Sequence, residues 1–207
     1  MMTKNVLIVT AETNINYNSF NNNENIIIGV ERGCLDLIYR DYKIDYAIGD
    51  FDKVSGEELE LIKSKVNKVE ILNCEKDYFD GEEAIIRALA YSPQKIIFVA
   101  NPTKRYDKNF SIFSLVFKYG IYFMNEDTNI FLIKKGTKVL NFDDYQEKTY
   151  VSFFSRVPTL ITIEGLKYTT ENFLLNQYDI TCASNAFIPN KDGKITVTED
   201  IICIMTK

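Results

Sequence analysis

The feature that most constrains the fold of this sequence is the alternation of short apolar runs with segments of helical periodicity over residues 1–124. Continuous apolar runs are typical of strands that are buried on both faces of a sheet. Strands that alternate with helices favour a parallel sheet, because each helix carries the chain back to begin the next strand. We therefore expect an α/β domain with helices on both faces of the sheet. The predicted strands are Val6–Val9, Ile26–Ile28, Tyr46–Ile48, Val69–Leu72, Ile96–Ala100 and Ile121–Met124.

Helices are predicted between these strands from start signals and from spacing. Ser55 and Glu58 have the form of a capping box, in which the side chain and backbone of each residue bond to the other. Asp80 is a related cap signal for the next helix, with an acid in place of Ser. Apolar residues at helical spacing predict two more helices, within residues 33–40 and 109–119.

The pattern changes after residue 124, where helical periodicity fades and short β-type runs separated by turn signals take its place. This is typical of a small antiparallel β-sandwich. We therefore expect two domains, residues 1–124 and residues 125–207. The predicted strands of the second domain are Ile130–Ile133, Tyr150–Phe154, Leu160–Ile163, Ile195–Thr198 and Ile201–Met205.

Composition narrows the classes of function. Hydrophobic residues make up 46% of the 207, so a packed core is expected rather than disorder. The net charge of -5 argues against a general nucleic-acid binder, which would present a basic face. The chain has no His, so acid–base or metal chemistry must use Asp, Glu, Lys or Tyr. No apolar run reaches the length of a membrane span, and the four scattered cysteines favour a reducing, cytoplasmic location.

Two carboxylates, Asp50 and Asp52, flank Phe51 directly after a predicted strand that ends at Gly49. In an extended segment, side chains two apart share one face, so both acids would point the same way while Phe51 turns inward. Adjacent acids repel each other unless a cation lies between them, and Mg²⁺ prefers carboxylate oxygens. The alternative is a polar turn after a strand.

Two further polar segments follow predicted strand ends. Residues 75–80 contain Asp77 and Asp80, although Asp80 alone is also explained as a helix cap. Residues 104–108 contain Arg105, which can bind phosphate through two hydrogen bonds, or which belongs to a solvated basic turn. Because ligands bind at the carboxyl ends of parallel strands, this combination indicates Mg²⁺-dependent phosphoryl or pyrophosphoryl transfer. No GxxxxGK[ST] loop is present, so a P-loop enzyme is excluded.

Five segments in the same order resemble the thiamine pyrophosphokinase family. Gly49–Lys53 (GDFDK) matches the family's GDFDS, Lys76–Asp80 (KDYFD) its (K/Q)DxTD motif, and Lys104–Lys108 (KRYDK) its GRxDH-like motif. In the second half, Gly165–Tyr168 (GLKY) and Ser184–Asn185 match the family's GLKY and SN segments. The resemblance covers nearly the whole chain.

The resemblance implies a homodimeric enzyme that binds ATP and Mg²⁺ in the α/β domain and transfers a pyrophosphoryl group to the thiamine hydroxyl, releasing AMP. Thiamine would lie between the α/β domain of one subunit and the β-domain of the other. Asp50, Asp52 and Asp80 would be metal-linked acids, with Asp77 beside them. The residues expected to bind nucleotide, phosphates or thiamine are Glu31, Arg105, Asp107, Ser184 and Asn185.

The sequence departs from the family pattern mainly at small residues. Arg32 replaces a Gly, Lys53 a Ser and Phe79 a Thr, and residues 101–104 replace a Gly-rich lead. A Cβ at such positions can forbid positive φ or crowd a phosphate. Two alternatives therefore stay open: a pyrophosphokinase for another alcohol such as a pterin, and a thiamine- or nucleotide-binding sensor that has lost catalysis.

Overall fold

The computed structural model describes residues 4–73, 75 and 77–207. Lys76 of the KDYFD motif and Cys74 lie outside the described residues. Within the described part, the chain forms thirteen strands and four helices. In chain order the elements are β1 (Asn5–Val9), β2 (Ile26–Val30), α1 (Arg32–Tyr39), β3 (Tyr46–Gly49), α2 (Gly56–Lys65), β4 (Val69–Ile71), α3 (Asp80–Leu89), β5 (Lys95–Val99), α4 (Tyr106–Tyr119), β6 (Tyr122–Met124), β7 (Thr128–Ile133), β8 (Gly136–Leu140), β9 (Tyr150–Ser155), β10 (Thr159–Glu164), β11 (Thr170–Leu175), β12 (Gly193–Val197) and β13 (Ile201–Thr206).

The chain divides into two compact units. The first comprises the residues up to Phe110 together with Ile121–Glu126, and the second comprises Ser111–Gly120 together with Asp127–Lys207. Most of α4 therefore groups with the β-rich part of the chain, where the ring of Phe113 meets that of Phe154 edge to face. The boundary after residue 124 stays a prediction.

The first unit is built on parallel strands in the order β4-β3-β2-β1-β5-β6. The four central strands are buried along nearly their whole length, as their continuous apolar runs predict. β2 continues one residue past Gly29 to Val30, so its carboxyl end lies directly before Glu31. The predicted α/β class is confirmed.

The helix start signals have different outcomes. At α2 the capping box is present: the Ser55 side chain accepts from the Glu58 N–H at 3.2 Å, and Glu58 Oε2 accepts from the Ser55 N–H at 2.9 Å. At α3 the predicted cap is wrong, because the N-cap residue is Phe79 and Asp80 is already the first helical residue. The side chain of Asp80 is therefore not required to cap the helix. α4 begins at Tyr106, three residues before the predicted start.

Helix α1 packs against β1 at a glycine. A Cβ on Gly33 would lie 2.0 Å from the carbonyl oxygen of Val9, a distance at which no side chain fits. Leu35 on the same helix and Ala47 on β3 share a hydrophobic cluster with Phe51, which is 5% exposed. The start of α1 and the turn after β3 are therefore built onto one core.

The second unit contains two groups of antiparallel strands, in the order β7-β13-β9 and, in a separate four-stranded sheet, β11-β10-β12-β8. All five predicted strands are present, and the predicted antiparallel β-domain is confirmed. The sequence pattern missed β8 and β11, which are the two edges of the four-stranded sheet. Most of their residues are exposed, so they lack the apolar alternation that reveals a half-buried strand. No helix in the described residues is long and apolar enough to cross a bilayer.

Candidate active site

Three acids from separate parts of the chain meet at the carboxyl edge of the parallel sheet. Glu31 follows β2, Asp50 follows β3, and Asp80 is the first residue of α3. One carboxylate oxygen from each lies within 4.8 Å of those of the other two. We call Glu31, Asp50 and Asp80 the carboxylate cluster.

Local backbone geometry directs Glu31 into this cluster. Glu31 has φ 52, and its N–H donates to the carbonyl of Ile48 at 3.2 Å, which joins the ends of β2 and β3. Its Oε1 accepts a 2.6 Å hydrogen bond from the N–H of Phe51, which itself has φ 56. Gly49 leaves room for this arrangement, since a Cβ there would lie 2.3 Å from Glu31 Oε1. The buried Glu31 carboxylate thus holds the positive φ of Phe51, while the bond to Ile48 holds the backbone of Glu31 itself.

The electrostatics of Glu31 favour a bound proton or a bound cation. The pKa of Glu31 is raised to about 7, mainly by burial and also by the charges of Asp50 and Asp80, while the hydrogen bond from the Phe51 N–H acts to lower it. Its Oε2 is buried and has no hydrogen-bond partner among the described residues. Oδ1 of Asp80 is likewise buried from solvent.

The donor set of the carboxylate cluster fits a hard divalent cation. Close carboxylates that are partly desolvated repel one another unless a positive charge compensates them. Hard cations such as Mg²⁺ bind carboxylate oxygens and take their remaining ligands from water and substrate phosphates. The three oxygens of this cluster could hold such an ion.

The other acid of the GDFD segment, Asp52, lies in a different environment. The prediction of an extended backbone from Asp50 to Asp52 is wrong, because Phe51 has a φ of 56. The prediction that the Phe51 side chain turns inward agrees with its exposure of 5%. The Asp52 side chain is 56% exposed and lies 3.7 Å from Lys53 Nζ, while its N–H donates to Asp50 Oδ1 at 3.2 Å. Asp77 is also exposed. The catalytic roles of Asp52 and Asp77, and the metal role of Asp52, stay predictions.

Arg105 and Asp107 form an exposed ion pair beside the start of α4. The guanidinium donates two hydrogen bonds to the Asp107 carboxylate, one of them 2.9 Å from Nε to Oδ1. These bonds lower the pKa of Asp107 and raise that of Arg105. The preceding loop is held by Asn109, whose side chain bonds to both the N–H and the carbonyl of Thr103. Arg105 therefore projects from an ordered loop.

At the positions where this sequence replaces small residues of the family pattern, the backbone does not have a positive φ. Arg32, Lys53, Phe79 and residues 101–104, all of which the structure describes, have no positive φ. A glycine is therefore not needed for backbone conformation at any of them. The contrast is Gly33, where the close approach of Val9 leaves no room for a Cβ.

In the second unit, Asn185 connects the two family-like segments. Its side chain accepts from the Tyr168 N–H at 2.9 Å and donates to the Tyr168 carbonyl at 2.7 Å. Its backbone pairs with Val151 in both directions, and the residue is 4% exposed. Neighbouring Ser184 is exposed, with φ 58. Asn185 therefore holds the GLKY segment in place, while the Ser184 side chain is open to solvent.

The sequence matches two family profiles in tandem. Residues 17–132 match "Thiamin pyrophosphokinase, catalytic domain", and residues 137–202 match "Thiamin pyrophosphokinase, vitamin B1 binding domain". The chain belongs to the thiamine pyrophosphokinase family. The resemblance carried by the five sequence segments is thereby confirmed, and the carboxylate cluster falls within the match to the family's catalytic domain.

Individual members of the thiamine pyrophosphokinase family agree with this assignment. The chain is 25% identical over 185 residues to thiamine pyrophosphokinase of Bacillus subtilis (strain 168), covering 86% of this chain and 85% of that protein. A solved thiamin pyrophosphokinase family protein from Enterococcus faecalis superposes with a TM-score of 0.86 at 23% identity, over 99% of both chains. The Candida albicans enzyme superposes with a TM-score of 0.74 at 18% identity, over 98% of this chain and 90% of that one. The solved structures support the fold.

Proposed function

We propose that this protein is a thiamine pyrophosphokinase that transfers the pyrophosphoryl group of ATP to the hydroxyl of thiamine, yielding thiamine diphosphate and AMP. The observation that carries the proposal is the carboxylate cluster at the carboxyl edge of the α/β unit, in a chain whose two halves match the two domains of this family. Sites at this edge are the usual ligand sites of open α/β sheets.

Glu31, Asp50 and Asp80 are the residues proposed to hold Mg²⁺. When bound, the ion would offset the charge of the phosphate oxygens. The requirement for Mg²⁺ is supported by the buried Oε2 of Glu31 and by the mutual repulsion of the three acids. Asp52 is retained as a further candidate ligand from the family motif.

Arg105 is proposed to bind the phosphates and to stabilise charge that develops on them. Asp107 orients the guanidinium through its paired hydrogen bonds, so a phosphate that binds Arg105 must share or displace this partner. Lys104 adds positive charge to the same loop. Positioning and electrostatics are expected to supply most of the rate acceleration.

The proposed reaction is an in-line displacement at the β-phosphorus of ATP. The thiamine hydroxyl oxygen forms a bond to that phosphorus while the bond to the oxygen bridging the α- and β-phosphates breaks, and AMP leaves with that oxygen. The hydroxyl proton passes to a carboxylate, since the chain has no His. Asp80 and Asp107 are the two candidates for the proton acceptor.

The assembly proposed for the enzyme is a homodimer, in which Ser184 lies near thiamine at the subunit interface. The support is the resemblance to the family and the exposed position of Ser184. The proposed location is the cytoplasm, supported by the free thiols of Cys34, Cys182 and Cys203.

Neither alternative function has an observation in its favour. A pyrophosphokinase for a pterin is not favoured, because residues 137–202 match a vitamin B1 binding domain. An inactive sensor was suggested by the replaced small residues, but their backbone needs no glycine, and the carboxylates are retained.

The decisive experiment is incubation of the purified protein with ATP, Mg²⁺ and thiamine, with AMP and thiamine diphosphate quantified together. We expect the two products in equal amounts, and neither when thiamine or the metal is omitted. Formation of AMP with a pterin alcohol alone, or ligand-induced thermal stabilisation with no AMP formed, would overturn the proposal.

A further inference from the structure

A chain of hydrogen bonds, extended by one ion pair, runs across the carboxyl edge of the parallel sheet outside the carboxylate cluster. Its members are the side chains of Asn101, Arg32 and Glu58, the side chain and carbonyl of Glu12, and the carbonyl of Lys53. We call this set the edge belt. It connects residues that follow β5, β1, β2 and β3, which is also the order of these strands in the sheet.

Arg32 is the centre of the edge belt. Its Nη2 donates to Glu12 Oε1 at 2.9 Å, and its Nη1 lies 3.5 Å from the Lys53 carbonyl and 3.7 Å from Glu58 Oε1. The carbonyl of Glu12 in turn accepts from Asn101 Nδ2 at 2.8 Å. Because the guanidinium is planar and has several donors, one side chain can contact all these partners.

The segments that the edge belt joins are those that carry the proposed active site. Arg32 directly follows Glu31, Lys53 ends the segment that begins with Asp50, and Asn101 begins the loop that leads to Arg105. A shift of any one segment would change the distances between these groups. Displacing a reacting group by about 1 Å can reduce the rate about 100-fold.

The edge belt is too exposed to serve mainly for stability. The side chains of Arg32 and Glu12 are 44% and 63% exposed. Ion pairs with this exposure contribute little to the free energy of unfolding. A role in holding the segments in place is consistent with both the exposure and the connectivity.

We propose that Arg32 is a positioning residue, which aligns the Asp50 segment and the Arg105 loop for pyrophosphoryl transfer without touching the substrate. The proposal rests on the proposed function for its effect on catalysis. The competing role is direct contact of Arg32 with a phosphate. The two roles make different demands on Glu12. If Arg32 positions the segments, Glu12 is a required partner of its guanidinium; if Arg32 contacts a phosphate, Glu12 only competes with the phosphate for the guanidinium.

The test compares Arg32→Ala, Arg32→Lys, Glu12→Ala and the double variant Arg32→Ala/Glu12→Ala in the thiamine diphosphate assay. We expect Arg32→Ala to lower kcat about tenfold, a smaller loss than the roughly 100-fold that a displacement of about 1 Å can cause. The KM for thiamine should change little. Glu12→Ala should lower kcat as well, and the double variant should be no slower than Arg32→Ala, because both changes break one network. Arg32→Lys should stay slow, because a single ammonium cannot contact all the acceptors.

A matched control is the ion pair between Lys63 and Glu60 on α2. It is 2.8 Å long, and its side chains are 42% and 72% exposed, so it resembles the pair of Arg32 and Glu12 in length and exposure. Lys63→Ala and Glu60→Ala should leave kcat unchanged. Full activity in Glu12→Ala together with rescue by Arg32→Lys would overturn the proposal in favour of direct phosphate contact.

Hydrogen–deuterium exchange of the ligand-free protein tests the edge belt without reference to activity. Arg32→Ala should speed exchange in residues 10–14 and 50–54, and Lys63→Ala should not. Unchanged exchange in these segments would overturn the proposal even if activity falls. If the wild-type protein forms no thiamine diphosphate, the proposed function fails and the exchange result alone decides whether Arg32 holds the segments.

Discussion

At the scale of single residues, the site shows how acids close in sequence can have different environments. Asp50 and Asp52 are separated only by Phe51, yet Asp50 joins Glu31 and Asp80 while Asp52 faces solvent beside Lys53. The cause is the left-handed backbone of Phe51, which Glu31 holds through the Phe51 N–H. The carboxylate cluster, which is the candidate metal site, is therefore assembled from three segments of the chain rather than from one motif.

The first prediction concerns these two aspartates. Asp50→Asn should lower thiamine diphosphate formation by about 100-fold or more, because it removes a charged oxygen from the proposed cation site. Asp52→Asn should lower the rate less, and both variants should stay folded, with melting temperatures no lower than that of the wild type, because removal of Asp50's charge relieves repulsion in the carboxylate cluster. The measurement is steady-state kinetics at saturating ATP and Mg²⁺. Near-wild-type turnover of Asp50→Asn would remove the proposed cation site, and equal losses in both variants would make Asp52 a ligand as well.

The second prediction concerns Glu31 and pH. Its pKa in the folded protein is about 7, above the ordinary value of 4.5, so the folded state binds this proton more tightly than the unfolded state does. The free energy of unfolding should therefore fall as pH rises through the window between these values. Thermal melts of the wild type and Glu31→Gln, both with a chelator present, measure this effect. The variant should show a flatter profile over the window.

Mg²⁺ should change this pH profile. Because the cation binds the ionised carboxylates, its stabilising effect on the wild type should grow as pH rises. A wild-type profile that matches that of Glu31→Gln would show that Glu31 does not titrate in this window.

At the scale of elements, the site depends on where helices begin. α1 starts directly after Glu31, and α3 starts with Asp80 itself, so both acids occupy the first residues around a helix N-terminus. The positive end of the helix dipole favours negative charge there. Packing of α1 against β1 through Gly33 then fixes the position of Glu31 relative to the sheet.

The third prediction tests this packing. Gly33→Ala should destabilise the protein by about 1–3 kcal/mol, because the new Cβ meets the carbonyl oxygen of Val9 and α1 must move outward. Thiamine diphosphate formation should fall too, as Glu31 moves with the helix. The matched control is Gly56→Ala at the start of α2, where a Cβ meets nothing within 4 Å. Denaturant unfolding of both variants gives the comparison, and equal stabilities would contradict the packing argument.

The fourth prediction separates the two residues of the SN segment. Asn185→Ala should reduce the free energy of unfolding by about 1–3 kcal/mol, because it removes the two hydrogen bonds that the Asn185 side chain makes with the N–H and the carbonyl of Tyr168. Ser184→Ala should leave stability unchanged and raise the KM for thiamine. Chemical unfolding and initial-rate kinetics on both variants distinguish the roles. Wild-type stability of Asn185→Ala would show that the GLKY segment does not need this side chain.

At the scale of the whole molecule, the backbone is retained while most of the sequence differs. The Enterococcus faecalis family member shares 23% of residues and superposes with a TM-score of 0.86. Such agreement is expected when burial pattern and turn geometry are kept, since cores accept many apolar substitutions. Arg32, Lys53 and Phe79, which replace small residues of the family pattern, also leave the backbone free to keep its course, because none of them has a positive φ.

The fifth prediction concerns assembly. The proposed dimer should sediment with twice the 23.9 kDa mass of one chain. Mixing an Asp50→Asn subunit with a Ser184→Ala subunit, at a thiamine concentration below the raised KM, should give more activity than either variant alone, because thiamine is proposed to lie between the α/β unit of one subunit and the β-rich unit of the other. Sedimentation velocity and a mixing assay measure the two effects. A monomer with full activity would contradict the shared site.

Much of the fold could be predicted from particular local patterns. The apolar run Val6–Val9 identified a central strand, and Ser55 with Glu58 identified the start of α2. The exposed edge strands β8 and β11 could not be predicted, because a strand with most residues in solvent has no apolar alternation. Asp80 was misread as a cap, since an N-cap and a first-turn acid look alike in sequence.

The sequence alone determined the α/β and β-rich halves, the family and the edge of the sheet where the acids lie, because these depend on periodicities and motifs that are local in the chain. Only the tertiary structure decided which acids meet. The left-handed turns at Glu31 and Phe51 place Glu31, rather than Asp52, with Asp50 and Asp80. Such turns are stabilised by contacts between strands β2 and β3, so no local pattern reveals them.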